Sequence, residues 1–185
     1  KEIKPEIKQE APKEIKPEIK QEAPKEIKQE IPKEIKQEIP KEIIEKFSSC
    51  KYKAAQEAFL EKCKESQVLA IANECKLASL DIATLIMTKL GEKAPVERFT
   101  DLFSSCEYSH LQKAFLEKCK ESQVLAIANE CKLASLDIAT LIMTKLGEKA
   151  PVERFTELFS SCEYSHLQEA FLEKCTESQK AIFQN

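Results

Sequence analysis

The chain has 185 residues and a formal net charge of −3, from 29 basic and 32 acidic side chains. Lysine and glutamate are interleaved along it, so it lacks the basic patch that nucleic-acid binding requires, and no nucleic-acid partner is expected. The longest apolar runs, such as residues 68–72, stop at Asn73 and Glu74, far short of the ~20 residues that cross a bilayer.

The first forty residues read in fours as KEIK, PEIK or QEAP, then KEIK and QEIP, with a glutamate at every fourth position from Glu2 to Glu42. On a helix those carboxylates would stand one turn apart and repel. Prolines at positions 5, 12, 17, 24, 32 and 40 leave runs of at most seven residues, and an interior proline costs a helix roughly 3 kcal/mol. One residue in four is apolar, too few to offset the entropy of ordering the backbone.

Residues 1–43 therefore read as an extended Pro/Glu/Ile/Lys low-complexity spacer, a polyampholyte with eleven lysines against eleven glutamates. In polyproline-II form, at about 3.1 Å per residue, its first forty residues reach roughly 120 Å. In composition alone the segment resembles the Pro-Glu-Val-Lys spring segments of giant muscle proteins, with isoleucine for valine. That resemblance implies a spacer or entropic spring.

Beyond the spacer, "FSSC" recurs at 47–50, 103–106 and 159–162, always 56 residues apart, and residues 58–100 are identical to 114–156. A period of this length predicts units that stack on one another. The divisions are a first repeat at 44–99, a second at 100–155, and a partial third at 156–185 serving as a C-terminal cap. The predicted fold is all-α: tandem three-helix repeats forming an array or bundle.

In each unit a first helix from Pro95 to Cys106 carries the stripe Val96, Phe99, Phe103 and Cys106. A second, from Tyr108 to Cys119, carries Tyr108, Leu111, Phe115 and Cys119. A long third helix is predicted over 66–90, and again over 122–146, with apolar side chains round more than half its circumference. Met87 and Met143 read as core filler on it. Gly91 and Gly147, the only glycines, follow it where a left-handed C-cap is wanted. After Cys175 the sequence departs from the repeat, which predicts a closing tail or a face that seeks a partner.

Eight cysteines, Cys50, Cys63, Cys75, Cys106, Cys119, Cys131, Cys162 and Cys175, repeat as C-x12-C-x11-C on apolar faces. Their even number and spacing point to disulfides in an oxidising compartment. Folding the helices back on one another brings Cys75 near Cys50 or near Cys106, and leaves Cys63, Cys119 and Cys175 for crosslinks between chains. Buried free thiols in a reducing cytosol are the other reading.

Candidate chemistry is sparse. Cys106 with His110, and Cys162 with His166, stand four apart on what reads as one helix, the spacing of a zinc pair or a thiolate–imidazole dyad. The first copy has Ala54 where the histidine would be, and no third group is placed to orient the ring. Glu97, Arg98, Glu117 and Lys118 read as solvated charge, and Tyr52, Tyr108 and Tyr164 as aromatics at the core's edge. No catalytic, cofactor-binding or metal-ligating residue is therefore assigned, and no enzyme is expected.

The expected function is that of a structural protein: a disulfide-stabilised helical array on a flexible stalk, secreted, as in a surface coat, adhesive or filament. Protein partners or self-association are expected with it. The alternatives are a module enclosing a small hydrophobic ligand and a cytoplasmic interaction scaffold.

Overall fold

A computed structural model describes residues 41–184. The low-complexity pattern over residues 1–40 lies outside the described residues. Among those described there are eleven α-helices and no strand.

The helices are α1 (Lys41–Ser49), α2 (Lys53–Lys62), α3 (Glu65–Glu74), α4 (Leu80–Leu90), α5 (Thr100–Ser105) and α6 (Ser109–Lys118). They continue as α7 (Glu121–Glu130), α8 (Leu136–Leu146), α9 (Thr156–Ser160), α10 (Ser165–Leu172) and α11 (Glu177–Phe183). Short 3-10 turns follow α4 and α8 and precede α5 and α9. The first helix begins at Lys41, so the last three residues assigned to the spacer belong to it.

One expectation is overturned. The long third helix is two helices: α3 stops at Glu74 and α4 starts at Leu80, and the second copy breaks between Glu130 and Leu136. Each full stretch thus has four helices rather than three. The break contains neither glycine nor proline. Its backbone is held by a glutamine from α2: Gln56 Nε2 donates to Lys76 O at 3.4 Å, and Ala78 N donates to Gln56 Oε1 at 2.9 Å. A side chain supplies bonds that a continuous helix would have made internally.

The first helix of the unit is likewise part 3-10, over Val96–Phe99, before α5 takes over. Pro95 and the Arg98 N–H to Pro95 O bond at 2.9 Å set that tight start.

Helix α4 shows how pattern becomes packing. Leu80, Ile82, Ala83, Ile86, Met87 and Leu90 are buried. Thr84 and Thr88 return their hydroxyls to the carbonyls of Leu80 and Thr84, four residues back. With so wide an apolar surface α4 has neighbours on several sides, and it packs against α2, α3 and α6; α8 packs in the same way against α6, α7 and α10. On the other side of the core α1 lies on α3, α7 lies on the Val96–Phe99 turn, and α11 lies on α9 and the Val152–Phe155 turn.

A single cluster of buried side chains runs through the described helices, with Phe47, Phe99, Phe103, Phe115, Phe155 and Phe171 as its largest fully buried members. Burying each such ring contributes roughly 1.5–3 kcal/mol, and the rings meet edge to face, as Phe99 does Phe115 at 6.1 Å.

Candidate functional site

The polar groups that organise this protein are two sets of buried or half-buried glutamines, which the apolar periodicity of the sequence does not reveal. In the first set Gln112, on α6, is fully buried. Its amide donates to Phe103 O at 2.8 Å, Cys106 O at 3.1 Å and Lys132 O at 3.2 Å, while its oxygen accepts from Ala134 N at 2.9 Å. One carboxamide thus ties the α5–α6 turn to the α7–α8 break. Gln56 does the same between Cys50 and the α3–α4 break. Gln168 makes the first half of the pattern, to Phe159 O at 2.8 Å and Cys162 O at 3.2 Å.

The second set starts helices. Gln67, Gln123 and Gln179 each accept the N–H of the residue three positions back, at 2.9 Å, the returning arm of a capping box. Gln123 also donates to Gly91 O at 3.1 Å and Ala94 O at 3.3 Å, and Gln179 to Gly147 O at 3.2 Å. This bond joins the start of α7 to the end of α4, and the start of α11 to the end of α8. A sequence signal existed: a glutamine at positions 56, 112 and 168 and again at 67, 123 and 179, all spaced by 56.

Gly91 and Gly147 stand at the C-caps of α4 and α8 with φ of +54° and +53°. Their ψ values of −123° and −124° place them outside the left-handed helical region named above. This conformation belongs almost wholly to glycine, and each glycine carbonyl is the acceptor just described.

All eight cysteines are free thiols, and no two are close enough to bond. The pairings of Cys75 with Cys50 or with Cys106 are not made. Six of the cysteines directly follow the last residue of a helix, and Cys162 and Cys175 stand two and three residues beyond one, where last-turn carbonyls lack partners. Cys50 Sγ donates to Lys46 O at 3.4 Å, Cys119 Sγ to Phe115 O at 3.4 Å and Cys175 Sγ to Phe171 O at 3.5 Å. Cys75 and Cys131 reach across to Ile44 O and Thr100 O. Burial pushes the thiols of Cys63, Cys75, Cys131 and Cys175 up, and that of Cys119 up to about 12, which suits hydrogen-bonding caps and opposes thiolate chemistry. Cys119 and Cys175, expected to be available for crosslinks, are buried; Cys50, Cys63, Cys106 and Cys162 are half-buried.

The cysteine–histidine pairs do not share a helix. Cys106 is the C-cap of α5 and the backbone is extended at Tyr108, so His110 belongs to a new helix and packs on the Tyr108 ring at 5.9 Å. Cys162 and His166 are divided in the same way by the end of α9. Among the described residues no three His, Cys, Asp or Glu side chains gather as a metal ion requires. Tyr52, Tyr108 and Tyr164 are 78%, 65% and 62% exposed, so they lie on the surface rather than at the core's edge.

Two grooves repeat at equivalent positions. One, of about 450 Å³, is lined by Cys131, Leu133 and Leu158 with Glu130, Lys132 and Arg154. Its counterpart, of about 360 Å³, has Cys75, Leu77 and Leu102 with Glu74, Lys76 and Arg98. Both mix charge with apolar surface, a lining closer to that of a protein contact than of an enclosed lipid site.

Comparison with family models, curated proteins and solved structures returns no match. Among the described residues no helix is long and apolar enough to cross a membrane.

Proposed function

We propose that this is a non-enzymatic structural protein: a tandem helical array, built from the 56-residue unit, carried on a low-complexity spacer and completed by protein partners. The observation that carries the proposal is the reuse of one joint. Gln56 and Gln112 clasp successive breaks at equivalent positions, Lys76 and Ala78 in one and Lys132 and Ala134 in the other, and Gln123 and Gln179 seal successive helix ends. Repeated joints hold successive units at fixed spacing, which suits a coat, adhesive or filament component. The setting we propose remains extracellular, with half-buried thiols such as Cys106 and Cys162 meeting other molecules rather than one another.

Inserting one or two further copies of residues 100–155 tests the array. Each copy is expected to raise the unfolding midpoint and to lengthen the particle in small-angle scattering by a constant increment. An unchanged midpoint, or a particle that grows equally in all directions, refutes it. Non-reducing electrophoresis of material from the native source tests the setting: thiol-linked multimers are expected, and thiols that remain entirely free and monomeric count against it.

A further inference from the structure

The chain has three tyrosines, Tyr52, Tyr108 and Tyr164, 56 residues apart, and they are the exposed large hydrophobic side chains of the described residues. Each is the extended residue just before a helix, α2, α6 or α10. Gln56 donates to Cys50 O and Lys76 O, and Gln112 to Cys106 O and Lys132 O, so the turns that carry the tyrosines lie beside the breaks before α4 and α8, on one edge of the helical layers. Helix α4 packs between α2 and α6, and α8 between α6 and α10. Two interhelical steps of about 8–10 Å part neighbouring tyrosines by roughly 16–20 Å, so no two of one chain meet. Their neighbours differ in sign: Tyr52 stands between Lys51 and Lys53, whereas Tyr108 follows Glu107 and Tyr164 follows Glu163. Lys53 is engaged by Asp81 at 2.6 Å, while Lys51, Glu107 and Glu163 are exposed. One ring amid such charge buries too little area to hold a partner by itself. What an exposed phenol does offer is a ring that can yield an electron and a proton.

We propose that the tyrosines are sites of oxidative crosslinking between copies of this chain, with Tyr52 of one joined to Tyr108 or Tyr164 of the next. The inference rests on the structural reading above and names the bond that fixes one array to another. Each of two phenols gives one electron and its hydroxyl proton to hydrogen peroxide on a peroxidase, and the peroxide leaves as two waters. The two radicals couple through ring carbons beside their oxygens, and the hydrogens at those carbons move to the oxygens, which restores both phenols. Attraction between Lys51 and Glu107 or Glu163 selects the pairing, whereas the two glutamates repel one another. Unlike patches joined head to tail make a heterologous contact, the kind that extends into a filament where its rotation does not close a ring.

The test treats an equal mixture of isotope-labelled and unlabelled full chain with peroxide and a haem peroxidase at low salt. Multimers that survive reductant are expected. Mass spectrometry is expected to find Tyr52–Tyr108 and Tyr52–Tyr164 peptides, short of two hydrogens, with heavy–light pairs as frequent as all others together. Tyr52→Phe is expected to lose most multimers. Lys51→Glu, which keeps every tyrosine, is expected to lose the bias toward Tyr52, as is ~1 M salt. Both positions are exposed, so the variants leave the core untouched. Pairs within one chain, pairing without a bias toward Tyr52 at low salt, or a bias that salt and Lys51→Glu leave unchanged overturns the proposal. Absence of dityrosine from material of the native source overturns it as well. Thiol-linked multimers without dityrosine would remove this bond and leave the structural reading standing.

Discussion

Gly91 shows what a single residue decides. A Cβ added there meets nothing within 4 Å, so any cost of substitution is conformational: φ of +54° with ψ of −123° is a region that L-residues avoid. Gly91→Ala is expected to destabilise the chain by about 1–3 kcal/mol, measured by denaturant unfolding. Gly147→Ala is expected to match it, since the geometry is the same.

The Cys119 thiol gives a pH dependence whose sign can be worked through. Burial raises it from its ordinary 9.0 to about 12, so the unfolded chain ionises first. Between those values the folded state holds a proton that the unfolded state has lost, and stability falls as pH rises through that window. Unfolding midpoints are expected to decline above pH ~9, and Cys119→Ala to flatten the decline while lowering the midpoint at neutral pH through loss of packing and of the bond to Phe115 O.

Among the elements, the α3–α4 and α7–α8 breaks depend most on a distant side chain. Gln112→Ala removes a fully buried side chain and its four bonds, leaving Cys106 O, Lys132 O and Ala134 N without it while Phe103 O keeps the Cys106 N–H. It is expected to cost about 3–5 kcal/mol, against about 1–2 kcal/mol for Gln168→Ala, which loses two bonds at a half-buried position. Equal costs, measured by chemical denaturation, would show that the carboxamide's second pair of bonds contributes nothing. The sequence did carry a faint sign of the break: Ser79 before Leu80 with Asp81 in the first turn is a helix-start pattern. One apolar stripe runs on through Ile71, Cys75, Ala78 and Ile82, and periodicity alone therefore favours one long helix.

Taken as a molecule, residues 41–184 are stabilised unevenly. Helices α4 and α8 are flanked on several sides, whereas α2 has a single principal neighbour in α4 and α10 has one in α8. Local opening follows such differences, so native-state hydrogen exchange is expected to be slowest in α4 and α8 and faster in α2, α10 and α11. Uniform protection from α2 to α11 would contradict nearest-neighbour coupling.

Sequence by itself determined that the stretch beyond the low-complexity segment is helical, which faces are apolar, and where the glycine stops fall. These depend on contacts within a turn or two, and the spacing of Val96, Phe99 and Phe103 or the position of Gly91 reports them directly. It also displayed the 56-residue period, because identity needs no structure to be seen. Tertiary structure alone decided that the long apolar stretches break, that the cysteines stay apart as free thiols, and that Tyr108 lies on the surface. The breaks turn on a glutamine finding its partners twenty or more residues away, and the free thiols and the exposed ring on where the packed helices leave them. Distances of that kind are set only when the helices have packed.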